Sequence, residues 1–321
     1  MYKTQKIFML LLLVLTPMIP IINADYQDPL LEIVKGNVPG HSEVHIQGLD
    51  EDVEDAGLEI LWEEVTFVWP TVATVMNVSS SDIDDDDGDT GAWNVTILGL
   101  DANYVQVVET VTMDGQNPVS TINKYLRINF LIVQHVGTSG SNEGIIYIGT
   151  GATVAGEPAV IYNEVVSDKG ISTTGTYTVP AGYKAYVHHF TLGTTADKNI
   201  EFEMRTRCVA CVFNSWTAAY HSHFKKEHVV QPLLVPFPIK EKTDIGLYCQ
   251  TIDKDGPVRV DVIMVLVDDN YAVINQSYTG TPVNVTISGD IETTTGANNN
   301  TLLFILIIMV VVALIGSSKR R

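Results

Sequence analysis

The chain is short of cysteine, of cations and of helical periodicity, and each shortage excludes something. Three cysteines in 321 residues rule out a disulfide-dense scaffold and cannot supply the two Cys-x-x-Cys pairs of a zinc ribbon. Nineteen Lys and Arg stand against 38 Asp and Glu. Five of those cations, Lys3, Lys6, Lys319, Arg320 and Arg321, lie in two end segments that contain no acid, which leaves 14 cations against 38 acids between them, a balance of −24. Such a surface repels phosphate backbones and anionic head groups, so no nucleic-acid partner is expected. There is no Gly-x-Ser-x-Gly elbow, no His-Glu-x-x-His helix and no phosphate-cradling glycine loop; the protein is not expected to be an enzyme.

The chain is apolar at both ends. Met1-Tyr-Lys-Thr-Gln-Lys6 is basic, Ile7 to Ile22 is apolar with breaks at Pro17 and Pro20, and Asn23-Ala24 precedes Asp25. These are the parts of a signal peptide, 1–24, cleaved after Ala24. Leu302 to Ile315 carries no polar side chain and is followed by Gly316-Ser-Ser-Lys-Arg-Arg321. With flanking residues it spans about 24 Å at ~1.5 Å per residue, slightly under the ~30 Å hydrocarbon core, which mild thinning or snorkelling would accommodate. A transmembrane helix over 301–318 and a basic cytoplasmic tail, 319–321, follow by the positive-inside rule. The expectation is a single-pass type I membrane protein, its acidic middle outside, in a virion membrane or at a host cell surface.

That middle reads as all-β. Asn94-Val-Thr-Ile97, Tyr183-Lys-Ala-Tyr-Val187, Glu201-Phe-Glu-Met-Arg205 and Val258-Arg-Val-Asp-Val-Ile-Met264 alternate apolar with polar residues, as half-buried strands do. Asp114-Gly115 and Asp255-Gly256 read as hairpin turns, the first between Val105–Met113 and the strand near Tyr125–Val133, the second between Ile245–Ile252 and Val258–Val267. Short strands at turn-spaced intervals, with no βαβ rhythm, predict antiparallel β-sandwiches of jelly-roll type. The glycine-rich run Gly149 to Gly156 predicts a boundary between two tandem domains, 25–150 and 151–270, each large enough to bury a core. Thr, Asn and Gly then dominate 271–300, a stalk by composition. Five Asn-x-Ser/Thr sites, at Asn77, Asn94, Asn275, Asn284 and Asn299, are candidate glycosylation acceptors.

Several motifs occur in order. The run from Ser79 to Tyr104, then Val108-Glu-Thr-Val-Thr-Met-Asp-Gly115, Pro118-Val-Ser-Thr121 and Tyr125-Leu-Arg127, resembles a pattern in structural proteins of tailed phages, especially marine ones. Tyr177-Thr-Val-Pro-Ala-Gly-Tyr-Lys-Ala-Tyr186, the strand ending at Arg205-Thr-Arg207, and Pro238-Ile-Lys-Glu-Lys-Thr-Asp-Ile245 are similar to a jelly-roll module of the same virion proteins. The resemblance spans roughly Val38 to Asp269 and implies a β-rich particle component without enzymatic activity. Those phage proteins are generally soluble, so the two apolar ends favour a membrane-bearing virion or a cell-surface homologue. Arg127, Arg205 and Arg207 read as sheet-surface ion pairs.

Two clusters suggest ligands. Asp82, Asp84, Asp85, Asp86, Asp87 and Asp89 crowd a loop with Gly88 that could wrap Ca2+, although Ile83 and Asn94 fall where an EF-hand needs its first and twelfth ligands. The competing reading is a solvated acidic loop. Cys208-Val-Ala-Cys211 lies near His221, His223 and His228, with Cys249 later, which allows three outcomes: a zinc site, unpaired core thiols, or a disulfide from Cys249 to Cys208 or Cys211. Strand alternation places residues three apart on opposite faces, and an external compartment favours the disulfide.

The function expected from this reading is a membrane-anchored viral structural protein that displays a double β-sandwich for particle assembly or host attachment. Its partners would be the membrane, further copies or other virion proteins, and a host receptor or glycan. The alternative is a cellular surface adhesin or carbohydrate-binding protein, with Trp62, Trp69, Trp93 or Trp216 stacking on sugars; Trp62 and Trp69 sit in an apolar stretch and are expected in the core.

Overall fold

Period-two alternation becomes strand throughout, and the apolar member of each pair turns inward. A computed structural model describes residues 28–271, apart from 56, 64–66, 195–198, 213, 226–227, 253–254 and 270. The expected signal peptide, the stalk beyond 271, the membrane helix and the sequons at Asn275, Asn284 and Asn299 lie outside the described residues. Among the described residues no helix is long and apolar enough to cross a membrane. A single helical turn and a half, α1 (Pro29–Val34), starts where Asp28 accepts the Leu30 N–H at 3.0 Å and Pro29 occupies the first turn.

The strands run β1 (His41–Val53), β2 (Glu59–Ile60), β3 (Asn77–Ser80), β4 (Ala92–Leu100), β5 (Gln106–Thr112), β6 (Val119–Ser120), β7 (Arg127–Val136) and β8 (Ile146–Val154). They continue with β9 (Glu157–Val165), β10 (Thr176–Thr178), β11 (Tyr183–Gly193), β12 (Asn199–Cys208), β13 (Thr217–Lys225), β14 (Val229–Ile239), β15 (Thr243–Thr251) and β16 (Gly256–Asp268). All their pairings are antiparallel.

Two sandwiches are built, and one is nested in the other. Leaving β2 aside, β1 pairs with β16, β10 with β15, β11 with β14 and β12 with β13. First therefore meets last, second meets second-last, and the ribbon closes on itself through β11–β16 and β12–β15. The products are sheets β1-β16-β11-β14 and β10-β15-β12-β13, with β2 beside β15. Ile46, Phe190, Phe202, Met204, Leu247 and Val262 fill the space between them. Between β2 and β10 the chain builds the second sandwich from sheets β6-β3-β8-β9 and β5-β4-β7. Its separate core includes Met76, Val95, Ile97, Tyr125, Leu131 and Ile148. All described residues belong to one compact unit.

This layout corrects the expected boundary. Position 150/151 falls inside β8, and the glycine-rich run closes the β8–β9 hairpin, whose register slips between Thr150 and Thr153. Its glycines are needed there: Gly156 has φ +86°, and a Cβ would collide with the Ser80 carbonyl. The first strand belongs to the later sandwich, so the halves are nested rather than consecutive. The Asp-Gly turns also differ from expectation. β5 and β7 flank β4 without pairing each other, and β15 and β16 lie in different sheets. Asp255-Gly256 therefore sits on an arch between sheets; in a wound ribbon, a turn in sequence need not join paired strands.

His188 marks another local device. On β11, Ala185 and Val187 face the core, then Phe190 and Leu192 do, so the apolar parity changes. A β-bulge between Val187 and His189 absorbs the extra residue against β16, where their partners Met264 and Ile263 are adjacent, while on the β14 side the partner moves from Phe237 to Pro232. His188 and His189 are both half-buried.

Candidate functional site

The acidic loop joins β3 to β4, and its six aspartates do not act together. Asp85 is fully buried. Its carboxylate accepts the Ser80 hydroxyl at 2.5 Å and the N–H groups of Ala92 at 2.7 Å, Glu143 at 2.9 Å and Gly144 at 2.9 Å. It is thus the tie that fastens the loop to the segment before β8, and its lone pairs are consumed. Asp86 accepts the Asp87 N–H at 2.7 Å, and the Asp89 carbonyl accepts Trp93 Nε1 at 2.7 Å. Only Asp82 and Asp84 converge, joined by Glu143, with one carboxylate oxygen of each within 4.8 Å of the others. Partial desolvation and the charges of Asp82 and Glu143 raise the Asp84 pKa. Glu143 could not be found from the sequence, since it lies some sixty positions along; an all-oxygen trio of this kind suits a hard cation.

The cysteines correct the expected disulfide. Cys208 bonds to Cys211, and Cys249 is free and buried. β12 ends at Cys208, and the turn after it, with Cys211 N–H to the Cys208 carbonyl at 3.4 Å, brings the two Cα atoms to 5.4 Å. Alternation fails because the strand has stopped. Cys249 lies opposite Phe202 on β12 and faces the core, where burial pushes its thiol well up. Asn77 and Asn94 lie within β3 and β4, with Asn77 Oδ1 accepting from Ser120 at 2.9 Å and Asn94 Oδ1 set 3.1 Å from His135 Nδ1.

A cluster of buried charge lies where the two sandwiches meet. Arg127 on β7 of the inner sandwich donates Nε to Asp244 Oδ1 at 2.8 Å and Nη2 to Oδ2 at 3.1 Å. Asp244 is on β15 of the outer sandwich and has no exposed surface. Arg207 donates Nη2 to the same Oδ2 at 2.6 Å, and Thr178 donates its hydroxyl to Oδ1 at 2.7 Å. Arg127 Nη1 also donates to the carbonyls of Pro70 and Leu126, both at 2.8 Å. Nearby, Asn129 and Thr178 exchange hydrogen bonds, side-chain amide to carbonyl at 3.0 Å and backbone N–H to Asn129 Oδ1 at 2.9 Å. The expected ion pairing of Arg127 is present, but buried between sandwiches instead of on a sheet surface. Arg205 pairs with Glu203 at 2.6 Å on an outer face.

Aromatic rings enclose this junction. Trp62, Phe67, Trp69, Trp216 and Tyr248 follow one another with centroid separations of 5.3, 4.9, 5.9 and 6.0 Å. Arg127 lies 5.1 Å from the Trp69 ring and Arg207 4.8 Å from Trp216, so both indoles carry guanidinium groups. Trp62 is buried as expected, and Trp69 is half-buried. A cleft of about 390 Å³ opens elsewhere along the seam, lined by Val44, Leu98, Val107, Phe130, Tyr177 and Leu266.

No family model and no curated protein matches the chain. The solved structures to which it is similar, at low TM-score, include two of different kinds. One is a Bacillus thuringiensis Cry1Da tryptic core variant, with 10% identity over 71% of this chain and 52% of that chain and a TM-score of 0.19. The other is the infectious bursal disease virus VP2 subviral particle, with 8% identity, 73% of each chain and a TM-score of 0.20. The chain spans about half the length of the Cry1Da core. Scores this low establish no common fold, and the architecture stands on its own strand pairings.

Proposed function

We propose that this chain is a structural component of a virus particle, anchored in a membrane, whose paired sandwiches are displayed outside for assembly or host attachment. The observation that carries the reading is the winding of β1 and β10–β16. First-with-last pairing of eight strands into two four-stranded sheets is the plan of a jelly roll, used by viral capsid and lectin domains. A second sandwich emerging between the first two strands gives the module a projecting part without adding a chain end. The sequence likeness to phage virion proteins supports the same assignment, and the apolar run at 302–315 supports the anchor. Against a sugar-binding role for the same winding, Trp69 and Trp216 face guanidinium groups.

Quantitative proteomics of purified particles tests this reading. The protein should co-purify with capsid components at fixed stoichiometry and should leave the particle with detergent but not with high salt. Its absence from particles would sink the viral assignment, and release by salt alone would sink the anchor.

A further inference from the structure

We infer that Glu201, His221 and His223 form a binding site for a divalent transition metal of the zinc class on the outer face of the β12–β13 pair. His221 and His223 are two residues apart on β13, which puts both imidazoles on one face. In register, His223 stands opposite Glu201 and His221 opposite Glu203. Glu203 is engaged by Arg205, which leaves Glu201 as the carboxylate shared by the two histidines. His221 Nε2 lies 3.1 Å from Glu201 Oε1, and the two imidazole centroids are 4.6 Å apart. One ligand atom from each of the three side chains falls within 4.8 Å of the others.

A tetrahedral ion with bonds of ~2.1 Å holds its ligand atoms about 3.4 Å apart, so the three need contract only modestly. Both histidines are exposed and can turn to do so. Their backbone cannot drift far. On either side of them, Tyr220 stacks on Phe190 at 4.3 Å and Phe224 is buried in the core. Two imidazoles and one carboxylate select zinc and its neighbours over calcium, which prefers oxygen alone. The open side of the sheet leaves the remaining coordination position to water. β13 is the outermost strand of its sheet, so a bound ion would brace a strand paired on one side only.

The test is Zn2+ titration of the full-length protein after EDTA treatment, followed by calorimetry and by thermal melting. One equivalent should bind with Kd below ~100 μM, and saturation should raise Tm. His221→Ala, His223→Ala and Glu201→Gln should each weaken binding at least ~10-fold, the lower end of the loss typical even of outer-shell partners. Asp84→Asn with Glu143→Gln should leave it unchanged. Because the three side chains are exposed or half-exposed, metal-free melting of the variants should match the parent and excludes misfolding. No binding by the parent, undiminished binding by His221→Ala/His223→Ala, or displacement of Zn2+ by millimolar Ca2+ would each overturn the site.

Discussion

Asp244 is a buried carboxylate that ties the outer sandwich to the inner one. Its two oxygens receive Arg127, Arg207 and Thr178 with no exposure to water, and its removal would leave a guanidinium buried and unpaired. Loss of one partner from such a group costs roughly 3–5 kcal/mol, so Asp244→Ala should lower the midpoint of urea unfolding sharply, whereas Glu203→Ala, on the outer face, should change stability by less than about 1 kcal/mol. Asp50 works in the opposite direction. Burial, then the charges of Glu59, Glu63 and Asp52, push its carboxyl up to about 6, although it accepts the Asp52 N–H at 2.9 Å. An unfolded aspartate titrates near ~3.9, so between those values the folded state holds more protons. The stability that protonation lends is complete below about pH 4 and is lost as pH rises through about 6. Asp50→Asn, which keeps the acceptor, should therefore raise Tm at pH 7 by an amount on the order of 1 kcal/mol of stability and give no gain at pH 4. Melting curves at the two pH values decide this; an equal gain at both would refute the assignment.

At the scale of elements, the loop from β3 to β4 is a clamp closed by one buried carboxylate. Asp85→Ala would strip acceptors from the N–H groups of Ala92, Glu143 and Gly144, each costing about 1–3 kcal/mol if left unsatisfied. Hydrogen exchange at those three amides should accelerate well beyond that at Val95 or Ile97 in the neighbouring strand; uniform acceleration would mean that the loop has no local role. Strand positions were legible from the sequence because alternation survives tertiary packing: the four alternating segments all lie within β4, β11, β12 and β16. Connectivity was not, since period two says which face a side chain takes and nothing about which strand it meets. That is why Asp114-Gly115 and Asp255-Gly256 read as hairpins, and why Gly149–Gly156 read as a domain boundary. The same blindness hid the sites. Glu143 reaches Asp82 and Glu201 reaches His221 only through pairings between distant segments. The crowded Asp82–Asp89 run was visible, but its one buried member could not be told from its solvated neighbours.

At the scale of the molecule, nesting means that the inner sandwich is tied to the outer one by both of its chain connections and by a polar seam. Each sandwich has its own core, so each has the means to unfold alone, and whether they do so depends on the seam. Arg127–Asp244 and Asn129–Thr178 cross it, as does the Ala181 N–H to the Tyr104 carbonyl at 2.8 Å, and Phe130 lies 5.7 Å from Tyr177. Unfolding the inner sandwich alone would strand Asp244 with Arg207 as its one remaining cation and expose the aromatic side of the junction. That cost makes partial unfolding unfavourable and couples the two cores. Scanning calorimetry of the full chain should accordingly show one transition for both, with calorimetric and van't Hoff enthalpies in agreement. Arg127→Ala combined with Asn129→Ala removes the inner sandwich's polar side chains from the seam while leaving the Tyr104 carbonyl, Phe130 and both cores in place. The transition should then split, with the lower-temperature component lost first to amides of β4 and β7 rather than those of β11 and β16. A variant that still melts in a single step, merely at lower temperature, would show that the two sandwiches are coupled through their chain connections and not through the buried charge.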